Sequence, residues 1–478
     1  MHCQLVVLGG GPGGYAAAFL AADRGAQVTL VEQDARLGGT CLLRGCIPSK
    51  ALLHVARVLG EVEQLQSEWG IEFDSPRIAL ERLRQRKEKI IATLSSGLRQ
   101  LAKRRNVQVI RARGVFHDST TLLLEGTDES LPADRLLTYD GLILATGSLP
   151  AMPSIFATES PRIMDSTAAL DLPELPGSLL VVGGGYIGLE LGTVYARLGA
   201  RVSLVELTEG LLPGVDRDLV RPLEKQLEKL FENRIYLNTR LGSLTPQSDQ
   251  VVATFEGPGK YGVERFDRVL VAVGRQPNSR GFGLEKTRVQ LDARGFVLHD
   301  ETMRTSDPHI WAIGDVAGEP MLAHKASHEA RVAVESFLGE PARFDKLAIP
   351  AVVFTDPEIA WTGLTEESAR RQNLPVEVVV YPWAASGRGH ALGRTEGLTK
   401  WVIDPQSQRI LGCGIVGPGA GELISEATLA IEMGCEIGDL SDTVHPHPTF
   451  SETLMHAADM FFGTATEVYK PRRAAEKV

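Results

Sequence analysis

Short apolar runs that stop at glycines set the first pattern in this chain. Gln4-Leu5-Val6-Val7-Leu8 is an apolar run of strand length, and Gly9-Gly10-Gly11-Pro12-Gly13-Gly14 follows it. An alanine-rich helical stretch from Tyr15 to Arg24 leads to a second run, Gln27-Val28-Thr29-Leu30-Val31, which ends in Glu32. The pattern predicts strand, glycine turn, helix, strand and acid, in that order. The order returns at Leu179-Leu180-Val181-Val182, Gly183-Gly184-Gly185-Tyr186-Ile187-Gly188, a helix, Arg201-Val202-Ser203-Leu204-Val205 and Glu206. From first glycine to acid the separation is 32 − 9 = 23 positions in the first copy and 206 − 183 = 23 in the second. Elsewhere Glu81 to Asn106 reads as one long charged helix, and Ile349-Pro350-Ala351-Val352-Val353-Phe354 opens a further α/β region.

A chain of 478 residues is too long for one core and should divide into roughly two to four domains. With 50 basic and 60 acidic residues the formal charge is −10, which argues against a nucleic-acid partner. The run Lys103-Arg104-Arg105 reads as a solvated helix face. No stretch of roughly 18 apolar residues exists, so no membrane span is expected. The run Leu5 to Leu8 lacks a charged leader or a cleavage site, which makes it a first strand rather than a signal peptide and a cytoplasmic protein the expectation. No lipoyl domain is expected ahead of that strand. Five cysteines in this length do not make a disulfide framework. Cys3, Cys413 and Cys435 stand in apolar surroundings and read as buried thiols.

The repeated unit carries chemistry. Gly9, Gly11 and Gly14, and again Gly183, Gly185 and Gly188, form the G-x-G-x-x-G spacing that lets a backbone approach a pyrophosphate at a helix N-terminus. Glu32 and Glu206 stand where a carboxylate accepts hydrogen bonds from a ribose diol. Such a spacing alone often marks a plain turn; its occurrence twice with the same offset predicts two bound dinucleotides. Glu206 favours NAD over NADP, because a carboxylate repels a 2′-phosphate, and Arg201 precedes the strand and is a poor phosphate clamp.

Cys41 and Cys46 are close in sequence, within Gly38-Gly39-Thr40-Cys41-Leu42-Leu43-Arg44-Gly45-Cys46-Ile47-Pro48-Ser49-Lys50. On a regular helix, residues five apart have Cα atoms about 8.7 Å apart, and a disulfide tolerates up to roughly 7 Å. A bridge would need a distorted backbone, which Gly45 permits. Two unbridged thiols in a turn are the other reading.

Together with the paired nucleotide units, this segment resembles the motif G-G-T-C-x-N-x-G-C-x-P-S-K of the flavin disulfide reductases, the class I pyridine nucleotide-disulfide oxidoreductases. Ala145-Thr146-Gly147-Ser148 resembles their A-T-G-S turn, and Val271-Ala272-Val273-Gly274-Arg275-Gln276-Pro277-Asn278 resembles their exit from the NAD domain. Ala312-Ile313-Gly314-Asp315 resembles their second FAD motif, and Met321-Leu322-Ala323-His324-Lys325-Ala326 looks like lipoamide-type FAD contacts. The resemblance implies FAD held by Gly9, Gly11, Gly14, Glu32, Gly39, Thr40, Lys50, Gly114, Thr146, Gly147, Ser148, Asp315 and Met321 through His324. It implies NAD held by Gly183, Gly185, Gly188, Glu206 and Gly274. It makes Cys41 the interchange thiol and Cys46 the thiolate beside the flavin, with Lys50 and Glu190 as an ion pair near the flavin. The family usually has asparagine where this chain has Leu43.

His445-Pro446-His447-Pro448-Thr449-Phe450-Ser451-Glu452 could be a surface loop, but it resembles the H-x-H-P-T-x-S-E signature of the lipoamide-oxidising members. By that match His447 is the catalytic base, Glu452 orients it and His445 supports it. The C-terminal Arg472-Arg473-Ala474-Ala475-Glu476-Lys477-Val478 lacks the vicinal cysteines of mercuric reductases, and Glu206 disfavours the NADPH of glutathione reductases. The activity implied is oxidation of protein-bound dihydrolipoamide by NAD⁺ through the disulfide and FAD. The implied partner is the lipoyl domain of a 2-oxo acid dehydrogenase complex or glycine cleavage system, and the implied assembly is a homodimer. No metal, nucleic acid or membrane is implied. The alternatives are an NADH-dependent reductase of another low-molecular-weight disulfide and a non-catalytic flavoprotein. The fold expected is α/β, with Rossmann-like FAD and NAD domains and a C-terminal α/β dimerisation domain. The segments are 1–150 and 278–348 for the FAD-binding and central parts, 151–277 for NAD, and 349–478 for the interface.

Overall fold

The computed structural model describes residues 1–127 and 131–469, so the C-terminal run Arg472–Val478 lies outside the described residues. The chain forms two compact units. The first comprises Met1–Val55, Phe73–Leu175 and Leu270–Asp345.

In this unit the strand His2–Leu8 lies parallel between Val28–Glu32 and Leu136–Leu144, in register from Leu5↔Val28 to Leu8↔Val31 on one side and Leu5↔Gly141 to Leu8↔Leu144 on the other. Successive side chains of a strand face opposite ways. Leu5 and Val7 therefore enter one core, with Ala17, Ala18, Ala21 and Ala333. Val6 and Leu8 enter another, with Phe116, Leu122 and Leu142. A strand buried on both faces needs an unbroken apolar run, which explains why this segment does not alternate. Small alanines let the helix Pro12–Asp23 approach the sheet. Gly141 makes room in the same way, since a Cβ there would meet the Phe337 ring at 2.6 Å. Ile310–Ala312 joins the sheet beside Leu136–Leu144, and the long charged helix runs Leu80–Arg104.

The second unit comprises Ala56–Glu72, Pro176–Val269 and Lys346–Val478. It holds a second parallel arrangement, Ser178–Val182, Arg201–Val205 and Ile235–Tyr236, with Leu179↔Val202 and Leu204↔Ile235 in register. It also holds an antiparallel sheet in the order Ala351–Val353, Glu358–Gly363, Ile410–Gly417, Leu398–Ile403 and Glu377–Pro382. Tyr381, Trp383 and Trp401 are fully buried there. The two indole N–H groups are satisfied: Trp401 Nε1 donates to Leu454 O at 3.0 Å, and Trp383 Nε1 donates to Thr399 Oγ1 at 3.0 Å. Thr399 and Thr453 share a 2.7 Å bond, so the sheet is tied at several points to the helix Glu452–Phe462. Buried Lys400 reaches Asp216 and Asp218, each at 2.7 Å, joining the helix Arg217–Leu230 to the same sheet. Among the described residues no helix is long and apolar enough to cross a membrane.

Candidate redox and nucleotide sites

The first glycine loop is shaped by close approach. Gly9 has φ +110, and a Cβ on Gly14 would sit 1.8 Å from Gly9 O. A Cβ on Gly39 would lie 2.5 Å from Gly11 Cα, and Gly38 N donates to Gly10 O at 2.9 Å. The start of the redox segment is thus laid on the nucleotide loop, and the N-terminal ends of two helices, Pro12–Asp23 and Gly39–Arg44, begin side by side. Converging N–H groups of this kind suit a pyrophosphate. Glu32 Oε2 accepts from Gly10 N at 2.6 Å, and Oε1 accepts from Asp34 N at 2.8 Å. Burial raises the Glu32 carboxyl above its ordinary value, opposed by the Gly10 and Gln33 N–H groups and by Arg44. Glycine contacts and acid fit a dinucleotide.

The second loop repeats the geometry. A Cβ on Gly188 would lie 2.2 Å from Gly183 O. Glu206 Oε2 accepts from Gly184 N at 2.6 Å, and Oε1 accepts from Thr208 N and Thr208 Oγ1, both at 2.8 Å. Equal spacing in sequence has become the same pair of backbone hydrogen bonds, to which the second loop adds the Thr208 hydroxyl.

Between the cysteines the helix Gly39–Arg44 stops and the helix Cys46–Glu68 begins. The break is at Gly45, with φ −148 and ψ −114. A Cβ there would meet Thr40 O at 2.8 Å and Cys41 Cα at 3.3 Å. Glycine is needed because backbone from the preceding helix fills the space, and that folding brings Cys41 and Cys46 together. The Cys41 thiol is raised far above its ordinary value, first by its hydrogen bond to Cys46 and then by burial, while Lys50 opposes. The Tyr15 hydroxyl is raised above its ordinary value by burial and then by the charge of the two cysteines nearby. Cys3 and Cys413 are buried as expected; Cys435 is only partly buried, beside the turn at Gly434 that follows the helix Ala420–Glu432.

The other motifs of the first unit converge. Ser148 Oγ donates to Asp315 Oδ2, and Arg275 holds Ser148 by two bonds of 2.7 Å, Nε to Oγ and Nη2 to O. Thr146 Oγ1 donates to Asn278 O at 2.7 Å, and Asn278 N donates to Gly147 O at 2.9 Å. Gly147, with φ +72, has nothing within reach of a Cβ. Gly314 N donates to Glu329 Oε2 at 2.7 Å, and Glu329 is paired with Lys325 at 2.6 Å in a buried contact. Met321 and Leu322 precede the helix Ala323–Phe337, on whose first turn Ala323 and exposed His324 lie. Gly114 is packed under Leu8, whose Cδ1 would lie 2.8 Å from a Cβ there. Gly274 has φ +118 and open space.

In the second unit His447 Nδ1 meets Glu452 Oε1 at 2.8 Å, and Glu452 Oε2 accepts from Thr449 N at 2.7 Å. The imidazole is 78 % exposed and the carboxylate 12 %. Phe450 stacks on Trp383 at 4.2 Å and anchors the loop. Burial pushes Glu452 up, but the Thr449 N–H and His447 outweigh it and the carboxyl lies below its ordinary value. His445 is placed between Thr443 O and Glu426 Oε1, each at 2.8 Å. Buried Glu190 accepts from Phe354 N at 3.0 Å; Lys50 lies on the helix Cys46–Glu68.

Tyr15, Glu329 and Glu426 escape sequence reasoning as site residues. Lys325 and Glu329 carry a signal, an i,i+4 pair on one helix, but the signal of a surface ion pair is the same.

A family model described as pyridine nucleotide-disulphide oxidoreductase matches residues 3–330, and one described as the dimerisation domain of that group matches residues 349–458. The dihydrolipoyl dehydrogenase of Haemophilus influenzae is 44% identical over 475 residues, covering 99% of this chain and 98% of its own. Of solved structures, LpdA from Mycobacterium tuberculosis has a TM-score of 0.87 at 28% identity, covering 96% of this chain and 99% of its own. The Cu(II) complex of the HOCl-induced flavoprotein disulfide reductase RclA from Escherichia coli has a TM-score of 0.84 at 29% identity, with the same coverage of 96% and 99%. Matched in both its nucleotide-binding part and its dimerisation domain, the chain belongs to the pyridine nucleotide-disulphide oxidoreductase family.

Proposed function

We propose that this chain is a dihydrolipoamide dehydrogenase, working as a homodimer and oxidising the dihydrolipoamide of a lipoyl domain with NAD⁺ as acceptor. The observation that carries the reading is the His447–Glu452 pair. Its carboxylate is anchored by the Thr449 N–H and engages Nδ1, which leaves the exposed Nε2 for a substrate proton. A histidine base and a cysteine pair are the groups that dithiol–disulfide exchange requires.

Starting from the oxidised pair, His447 Nε2 takes the proton of one substrate thiol. The thiolate attacks Cys41, a substrate–Cys41 bond forms, and the Cys41–Cys46 bond breaks with its electron pair leaving on Cys46. The second substrate thiol, also deprotonated, attacks the substrate sulfur of the mixed disulfide. Lipoamide leaves with its S–S bond closed, and Cys41 takes the electron pair and a proton. The substrate has lost two electrons and two protons, and the cysteine pair is reduced. In that reduced pair Cys41 carries the proton and Cys46 the negative charge left by the bond cleavage, the roles the family resemblance implies. When bound, FAD supplies the two-electron relay between the reduced pair and NAD⁺. Gly9, Gly11, Gly14, Gly39 and Glu32 would hold its adenosine and pyrophosphate, and Thr146 through Ser148 with Asp315 would hold its ribityl chain. Gly183, Gly185, Gly188 and Glu206 would hold NAD⁺.

Leu43, where the family motif has asparagine, favours one other reading: NADH-dependent reduction of a different small disulfide. The test is NADH formation from NAD⁺ and free dihydrolipoamide, with Cys46→Ser as control. Turnover that vanishes in the control is expected. A wild-type protein that carries FAD and is reduced by NADH, yet ignores dihydrolipoamide, would sink the lipoamide assignment.

A further inference from the structure

The two nucleotide loops differ two residues past the acid, and the difference leads back to the cysteines. In both loops the residue at that place donates its N–H to the acid at 2.8 Å, Asp34 to Glu32 and Thr208 to Glu206. Thr208 adds its hydroxyl to the same carboxylate at 2.8 Å. Asp34 has no proton to add. Its carboxylate instead forms an ion pair with Arg44, both side chains being partly buried at 29% and 37% exposure. Arg44 is the last residue of the helix Gly39–Arg44 and adjoins the break at Gly45. The other end of that helix is tied to the glycine loop through Gly38 N and Gly10 O. The short redox helix is therefore fastened to the nucleotide site at both ends, once by backbone and once by charge. A guanidinium here also opposes the effect of burial on Glu32.

We infer that Arg44 is a positioning residue. It clamps the redox helix to the loop of the ribose-binding acid, so that one ion pair steadies both the adenosine end of the FAD site and the cysteine pair. The inference rests on reading the first unit as the FAD site. Lysine would keep the charge but not arginine's planar, rigid array of donors.

The test compares wild type, Arg44→Leu and the charge-reversed pair Asp34→Arg with Arg44→Asp. Apoprotein is titrated with FAD and followed by flavin fluorescence. Arg44→Leu should bind FAD about fivefold more weakly, the scale of a partly exposed ion pair, and the reversed pair should recover most of that loss. In FAD-saturated protein the long-wavelength band on two-electron reduction should weaken in Arg44→Leu and return in the reversed pair. NADH binding at the second loop should not change. If Arg44→Leu does not fold, Arg44→Gln serves the same comparison. Unaltered FAD affinity in the single variant, an unaltered band, or a reversed pair as weak as the single variant overturns the inference. A wild-type chain that takes up no FAD overturns the reading of the site itself, and the two failures are distinct.

Discussion

At the Glu452 carboxyl, burial works against ionisation while the Thr449 N–H and the His447 ring work for it, and the second influence wins. The folded value therefore lies below the unfolded one. The stability this lends is fully present above the ordinary carboxylate range and is lost as pH falls through the depressed folded value. Glu452→Gln removes both the charge and its pH dependence. We expect dihydrolipoamide oxidation to fall on the order of a hundredfold in that variant. The gap in melting temperature between it and wild type should shrink on acidification, and a constant gap would show that Glu452 contributes packing alone. Residues of this kind were only partly legible in the sequence. Glu32 and Glu206 were marked by their offset from the glycines, because the chain needs that length to pass through a helix and a strand. That each turns back on the N–H of Gly10 or Gly184 is not encoded in any spacing. Glu329 was hidden because its role depends on burial under Gly314, which a local pattern does not carry.

The helix pair around the cysteines shows how one residue sets an element. Gly45→Ala would place a methyl 2.8 Å from Thr40 O, and the atoms in the way are backbone, which cannot swing aside. A destabilisation of about 1–3 kcal/mol is expected from such overpacking. It should appear in thermal unfolding together with a weaker long-wavelength band on reduction; a normal band would mean that the two sulfurs keep their relation without the break. From sequence, the five-residue offset showed that a continuous helix could not bring the sulfurs together, and Gly45 was the residue able to relieve it. The sequence did not show that a short helix precedes the break and a long one, Cys46–Glu68, follows it. Gly-rich and helix-forming residues are mixed there, and tertiary contact with the Gly10–Gly11 loop decides the outcome. The charged helix was clearer, Leu80–Arg104 against an expected Glu81–Asn106, because a long alternation of charged and apolar positions has few other solutions.

For the whole molecule, the cysteine pair belongs to the first unit and the His447–Glu452 pair to the second. The dimer proposed above predicts that a site takes its cysteines from one chain and its base from the other. Chains carrying Cys46→Ser should then regain activity when mixed and refolded with chains carrying His447→Gln. Each hybrid would hold one doubly damaged site and one intact site, so about half of the wild-type turnover per hybrid is expected from two-fold symmetry. No recovery would place both groups of a site in a single chain. At this scale the sequence spoke least, since pairings such as Ile310↔Leu142 and Leu5↔Gly141 join segments far apart and follow from the closing of the sheet rather than from neighbours. The paired nucleotide loops have a last consequence. Each acid is tied on both oxygens by its own loop, Glu32 by Gly10 and Asp34, Glu206 by Gly184 and Thr208. Their ordering entropy is lost during folding and not again on binding. An acid aimed in this way by its own loop would need little rearrangement to take a ribose diol.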